Sequence, residues 1–439
     1  MQTSFTLAQL ADPDIEAANG ILRSCVHCGF CLATCPTYLL LGDELDSPRG
    51  RIYLMKSMLE EDRAADAETA LHIDRCLSCL ACMTTCPSGV HYMHLVDIGR
   101  AHIEKTYRRP LPDRALRAVL ARVMPYTGRF RVAMLGAALI RPLRFLVGGR
   151  LRAMLDLAPG LPAARSATEG AQVFPAQGAR RARVALLEGC VQPALKPAIN
   201  EATIRLLTRH GIEVVQARGA ACCGSLAHHM GRQDESHAQA KANIDAWLAE
   251  ADGDGPGGGG LDAILVNASG CGTTLKDYGF MFRADPEWAA KAARVSALAK
   301  DVTEFLVGHG IGEASGTRES KSLAVAYHSA CSMQHGQKIH REPRDLLRQA
   351  GFEVREIHDG HLCCGSAGTY NILQSGLADA MRARKASNIA RTGADILATG
   401  NIGCIAQLER AVSMPVVHTV ELLDWATGGP KPATLTSLG

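Results

Sequence analysis

Residues 25–36 read Cys25-Val-His-Cys28-Gly-Phe-Cys31-Leu-Ala-Thr-Cys35-Pro36, and residues 76–87 read Cys76-Leu-Ser-Cys79-Leu-Ala-Cys82-Met-Thr-Thr-Cys86-Pro87. Both obey C-x2-C-x2-C-x3-C-P, the spacing with which a short backbone loop wraps a cubane iron–sulfur cluster. Three thiolates two residues apart converge on one cube, and the fourth, three residues further on, ligates the other cluster of a pair. The spacing therefore assigns Cys25, Cys28, Cys31 and Cys86 to one [4Fe–4S] cluster and Cys76, Cys79, Cys82 and Cys35 to a second. A chain so equipped moves electrons.

Zinc and disulfides are the competing uses of these eight cysteines. Zinc sites draw on two separated pairs, not on four cysteines within eleven residues ending at Pro. Disulfides between residues this close have poor geometry. They also belong to oxidising compartments, whereas the first twenty residues carry Asp12, Asp14 and Glu16 and no apolar stretch of a secretory signal. The expected location is the cytoplasm, with a peripheral position on the cytoplasmic face of the inner membrane left open.

At 439 residues the chain is long enough for two to four domains. Its longest run of apolar residues and Gly, 132–140, is too short to cross a bilayer, which takes about 20 residues. The net charge of +3 hides an asymmetry. Residues 108–152 hold eleven arginines against one acid, Asp113, a net +10, so the rest of the chain carries −7. This stretch reads as helices punctuated by Pro110, Pro112, Pro125 and Pro142, with Asp113 as an N-cap. It suits an anionic membrane surface or an acidic partner. A solvated basic face packed on a neighbouring domain is an equal alternative. Nucleic acid is not expected, because no interleaved aromatics or binding motif accompany the arginines.

The expected fold class is α+β and multidomain: an N-terminal α-helical two-cluster ferredoxin domain, then two homologous α/β cysteine-rich repeats. The ferredoxin domain spans 15–106, with helical spacing at 51–62, 68–74 and 93–107. An arginine-rich helical segment follows at 107–157, and a Pro-, Gly- and Ala-containing linker at 158–182. The repeats occupy 183–320 and 321–432. In the first, Cys190 precedes Cys222-Cys223-Gly224-Ser225 by 32 residues; in the second, Cys331 precedes Cys363-Cys364-Gly365-Ser366 by 32. The offset between copies is 141 at both places and 133 at the downstream pair, Cys271 and Cys404. The glycine-rich insert 253–260 in the first copy absorbs most of the difference, as a surface loop. Within each copy, strand patterns (184–187, 212–215; 323–326, 352–355) alternate with helical ones (198–210; 344–350), which argues for a helix-covered parallel sheet. Cys190, Cys271, Cys331 and Cys404 then sit at carboxyl ends of strands, where open α/β sheets gather ligands.

The C…CCG…C repeat resembles the cysteine-rich domain of heterodisulfide reductase and its relatives. In that domain a further cysteine follows at C-x-x-C; here the positions are Thr274 and Gln407, so the fifth thiolate is absent from both copies. Cys190, Cys222, Cys223, Cys271, Cys331, Cys363, Cys364 and Cys404 stand as candidate cofactor-binding residues for an additional metal or cluster. Burial as small hydrophobes is the plain alternative. The whole layout, with the run Asp46-Ser47-Pro48-Arg49-Gly50-Arg51-Ile52 after the first cysteine run, resembles the iron–sulfur subunits of flavin-linked hydroxyacid dehydrogenases, those of glycolate oxidase in particular.

That resemblance implies a non-substrate-binding subunit of a glycolate dehydrogenase complex, with FAD on a partner subunit. It implies electrons relayed through two [4Fe–4S] clusters to an acceptor such as quinone. Equivalent subunits of lactate or glycerol-3-phosphate dehydrogenases share much of the architecture. A thiol or disulfide reductase centred on the repeats is the alternative of another class. No catalytic residue is assigned. The sequence has no GxGxxG placed after a strand and no GxxxxGK[ST] loop. His228, His229, His335 and His361 fall near the repeat cysteines, and Arg49 and Arg51 near the cluster loops, all without an assigned role.

Overall fold

The computed structural model describes residues 1–146, 148–158, 160–253, 259–310 and 323–438. The first hundred residues are helical. Asp12 caps Pro13–Ser24, Ser47 caps Pro48–Glu60 and Asp66 caps Ala67–Asp74 through their side chains, each satisfying a backbone N–H of the first turn. The apolar stripes of these helices and of Tyr92–Thr106 meet in a core of Leu22, Ile52, Met55, Met58, Ile73, Leu95 and Val96. The two cysteine runs thread between them.

The arginine-rich segment folds as Leu111–Val123, Thr127–Ile140 and Gly149–Leu157, joined by a 3-10 turn at Arg141–Leu146. Asp113 is not the N-cap. Pro110 and Pro112 are tolerated at a helix start, where their missing N–H is not needed, so the helix begins at Leu111 with Pro110 as cap. Asp113 instead lies inside the first turn and pairs with Arg109, Arg117 and Arg150. Both readings of the arginines hold in part. Arg109, Arg117 and Arg131 are buried in ion pairs with Asp74, Glu104, Asp113 and Glu169. Arg114, Arg122, Arg129, Arg144, Arg150 and Arg152 are exposed.

The segment expected as a linker contributes a strand. Gln172–Phe174 (β1) adds antiparallel to the edge of the first sheet, on Ile212–Gln216 (β3). That sheet also contains Ala182–Leu186 (β2), Ala263–Val266 (β4) and Ala299–Asp301 (β5), in the order β1-β3-β2-β4-β5. The second sheet, of Ala324–Tyr327 (β6), Glu353–Glu356 (β7), Ile396–Thr399 (β8) and Val416–His418 (β9), has the order β7-β6-β8-β9. Apart from β1, every pairing is parallel and the two orders superimpose. Alternation along β2 sends Val184 and Leu186 to one face and Ala185 to the other, both fully buried. The core on the first face also takes in Val325, Leu397 and Val417, so the repeats share one interior. Of the glycine-rich insert, residues 254–258 lie outside the described residues, as does the expected boundary at 320/321.

Candidate functional site

The cysteine runs turn because the residues flanking each middle cysteine are left-handed. His27 (φ 54°) and Gly29 (φ 85°) flank Cys28; Ser78 (φ 50°) and Leu80 (φ 63°) flank Cys79. Such backbone costs of order 1–3 kcal/mol at a non-glycine residue, and it swings three successive thiols to one side. At Gly29 the close approach is literal, since a Cβ would lie 2.8 Å from the Arg49 guanidinium.

Two hollows result. Cys25, Cys28, Cys31 and Cys86 line the first, together with Cys82, Arg49, Ile52 and Tyr92. Cys35, Cys76, Cys79 and Cys82 line the second, with Thr37, Arg51, Leu77 and Tyr92. Each hollow thus contains one of the two quartets the spacing groups, and Cys82 of the second quartet also reaches the first hollow. Cys82, Pro48 and Tyr92 border both, which makes the two spaces neighbours. All sixteen cysteines are free thiols. Burial pushes Cys31 up to about 11 and Cys79 and Cys82 well above the ordinary thiol range. Convergent thiols that stay protonated until a metal displaces the proton suit metal ligation, and four soft donors per hollow fit an iron–sulfur cluster in each.

The hollows differ. The first opens to the surface, with Val26, Cys28 and Phe30 exposed. The second is lined mainly by buried side chains. Arg51, 1% exposed, donates from Nε to the His72 carbonyl (2.7 Å) and from Nη2 to Thr37 Oγ1 (3.0 Å) and Asp46 Oδ1 (3.1 Å); its Nη1 lies 3.8 Å from Cys35 Sγ. Asp46 is fully buried and also takes Arg75 at 2.7 Å. Tyr92 Oη lies 3.7 Å from Cys76 Sγ. Arg49, by contrast, is a partly exposed partner of Glu44. Spacing alone identifies none of Thr37, Asp46 or Tyr92.

The repeats bring their own thiols together. In the first, Cys222 accepts from Cys190 and from Cys223, which depresses its pKa, and Cys223 adjoins Cys271. In the second, Cys331 adjoins Cys363, Cys363 adjoins Cys364, and Cys364 Sγ lies 3.5 Å from Cys404 Sγ. The two sets sit at the carboxyl ends of β2–β4 and β6–β8. Thr274 and Gln407 serve as structure: Thr274 Oγ1 donates to the Gly270 carbonyl, and the Gln407 amide accepts from Asn371 and donates to the Ala378 carbonyl. The ferredoxin domain is docked against both repeats. His228 meets Asp97 at 3.2 Å and His94 meets Asp277 at 2.7 Å. His335 Nδ1 meets Thr84 Oγ1 at 2.7 Å, and its Nε2 contacts the His361 carbonyl. His228 and His335 therefore hold the domains together. Leu77, Cys331, Cys363 and Tyr370 form one buried cluster, with Cys79 against it. The second hollow thus abuts the second repeat's thiols.

One residue at this end was not legible from the cysteine pattern. His328, directly after β6, is fully buried, and its ring lies beside Cys364 and Cys404. Its signal was present in the aligned copies, where the matching position of the first repeat is Leu187.

Comparison with known proteins agrees with this layout. The model of a 4Fe-4S dicluster domain matches residues 21–90, and that of a cysteine-rich domain matches residues 184–276 and 325–409. The chain is 42% identical to the glycolate oxidase iron-sulfur subunit of Escherichia coli, over 97% of this chain and 99% of that protein. It is 31% identical to the probable glycolate oxidase iron-sulfur subunit of Bacillus subtilis, over 98% and 99% respectively. Lactate utilization protein A of Bacillus subtilis is 26% identical and covers 55% of this chain and 99% of its own length.

Proposed function

Because the chain belongs to the family of glycolate oxidase iron–sulfur subunits, an electron-transfer family, we propose that it serves a glycolate dehydrogenase complex as the subunit between a flavin-bearing partner and a final acceptor, quinone. Cys25, Cys28, Cys31 and Cys86 would hold one [4Fe–4S] cluster, and Cys35, Cys76, Cys79 and Cys82 the other. When bound, such clusters take up and release electrons singly, at potentials set by charge, hydrogen bonds to sulfur and exposure. The observation that carries this reading is the pair of adjoining hollows, each lined by one cysteine quartet.

The protein's residues do the rest. Ile52, Leu77 and Tyr92 exclude water from the ligand shells, and Arg51 and Tyr92 place positive charge and a hydroxyl next to Cys35 and Cys76. The exposed edge at Val26, Cys28 and Phe30 is the side from which a flavin-bearing subunit would approach. The repeat thiols, Cys190, Cys222, Cys223 and Cys271 with Cys331, Cys363, Cys364 and Cys404, are assigned to an additional metal or cluster.

Among the described residues no helix is long and apolar enough to cross a membrane. The segment 111–157 nonetheless exposes Val132, Leu139, Phe145 and Leu146 among its exposed arginines. This mixture suits the interface of an anionic bilayer and supports peripheral attachment on the cytoplasmic face, beside a membrane quinone. Glycolate is favoured over lactate because the likeness to the glycolate subunits runs the length of the chain, while that to the lactate utilization protein covers 55% of it.

The test is substrate choice. In the co-purified complex held without oxygen, glycolate should bleach the flavin and then the broad iron–sulfur absorption, while lactate and glycerol-3-phosphate should not. Bleaching by lactate or glycerol-3-phosphate alone would replace the glycolate assignment.

A further inference from the structure

His328 has no counterpart in the first repeat, and its surroundings give its ring nothing to do. The residue follows β6, fixed by a 2.8 Å bond from its amide to the Ala398 carbonyl. Its side chain is 0% exposed, and among the described residues neither Nδ1 nor Nε2 has a hydrogen-bond partner. Native interiors avoid leaving both nitrogens of a buried imidazole unpaired. A ring nitrogen of His328 and the sulfurs of Cys364 and Cys404 all lie within 4.8 Å of one another.

From this juxtaposition we propose that the second repeat, and not the first, holds a single zinc ion through His328, Cys364 and Cys404. One imidazole and two thiolates are a borderline-to-soft donor set that suits zinc. Bonds of about 2.0 Å to nitrogen and 2.3 Å to sulfur put neighbouring ligands a little under 4 Å apart around a tetrahedral ion. The 3.5 Å Cys364–Cys404 separation meets that spacing directly, and a small inward shift of the imidazole closes the third side. Cys363, beside Cys364, is at hand for the fourth position. Two charged thiolates and a neutral imidazole neutralise the ion. Lys385, itself 2% exposed and near Cys331, Cys363 and Cys364, offsets a third thiolate. At the first repeat, Leu187 occupies the place of His328, and Cys271 is partly exposed where Cys404 is buried. The duplication has therefore diverged at its ligand set. The site also lies behind Cys331 and Cys363, which pack against Cys79, so its ion is a fixed charge close to the second hollow.

The inference rests on the reading that the repeat thiols are ligands, and the experiment separates the two. Elemental analysis of the purified full-length protein should find a single zinc per chain beside the iron. His328→Leu installs the residue of the matching position in the first repeat. It should lower zinc at least tenfold with the iron unchanged, as should Cys404→Ser. His328→Cys guards against misfolding of the leucine variant. It should keep the ion, and in cobalt-substituted protein should strengthen the sulfur-to-metal charge-transfer band relative to the parent. A parent protein with neither zinc nor iron beyond that of the two clusters would overturn the ligand reading of the second repeat. Zinc lost in Cys404→Ser but retained in His328→Leu would overturn only the role of His328. Extra iron in place of zinc, lost with His328→Leu, would overturn the assignment of the ion.

Discussion

Arg51 shows how much of this protein's chemistry rests on one side chain. A guanidinium 1% exposed is tolerated because Asp46, Thr37 and the His72 carbonyl take its protons. Removing one partner of a buried pair costs about 3–5 kcal/mol, since the other charge stays buried. Arg51→Met should destabilise the protein by that order in denaturant unfolding. Its second effect is electrical. A cation beside Cys35 favours the more negative, reduced state of a ligated cluster, so the variant should lower the potential of one cluster and leave the other nearly unmoved in a potentiometric titration. Equal shifts in both, or none, would contradict the placement of Arg51. The sequence displays this arginine in the run 46–52 but not its burial, because nothing in the helical spacing of Pro48–Glu60 distinguishes it from the partly exposed Arg49. The distinction arises only when Ala67–Asp74 brings the His72 carbonyl over it.

Among the elements, the helices of 111–157 carry a segregation that the sequence shows only as a charge count. Three arginines turn inward to Asp74, Glu104, Asp113 and Glu169, and those left outside share the surface with large apolar side chains. Each basic residue near an anionic membrane contributes about 1 kcal/mol of attraction. The protein should sediment with vesicles containing anionic lipid and be released by salt. The double variant Leu139→Ser/Phe145→Ser should weaken this several-fold without changing iron content, and equal binding to neutral vesicles would argue against the electrostatic part. Strands β2 and β6 are legible because parallel strands buried on both faces read as continuous apolar runs, whereas β5 and β9, three residues each, are not. Three-residue β1 is not legible either, since an edge strand this short, ended by Pro175, carries too few residues to show a period. The helix start at Leu111 is missed for a related reason: Asp113 is a good cap by type, but two prolines compatible with a first turn precede it.

Over the whole molecule, what the sequence reveals and what it conceals divide by chain distance. Cluster ligation fixes the separations of Cys25, Cys28 and Cys31 within one loop, so their grouping can be read from spacing. The duplication of the repeats is legible for the same reason, through the 32-residue interval kept in both copies. The contact of Cys79 with Cys331 and Cys363, and of His328 with Cys404, joins residues far apart in the chain, and no local pattern encodes it. The architecture that results places two cysteine-lined hollows side by side, one edged by exposed residues and one abutting the second repeat. The central claim is that these hollows hold two clusters close enough to exchange electrons. Electron paramagnetic resonance of the fully reduced protein tests it most directly. The account predicts two [4Fe–4S] signals broadened by mutual spin coupling, which collapse to one uncoupled signal in Cys79→Ser. A single uncoupled signal in the parent protein, or none, would contradict it.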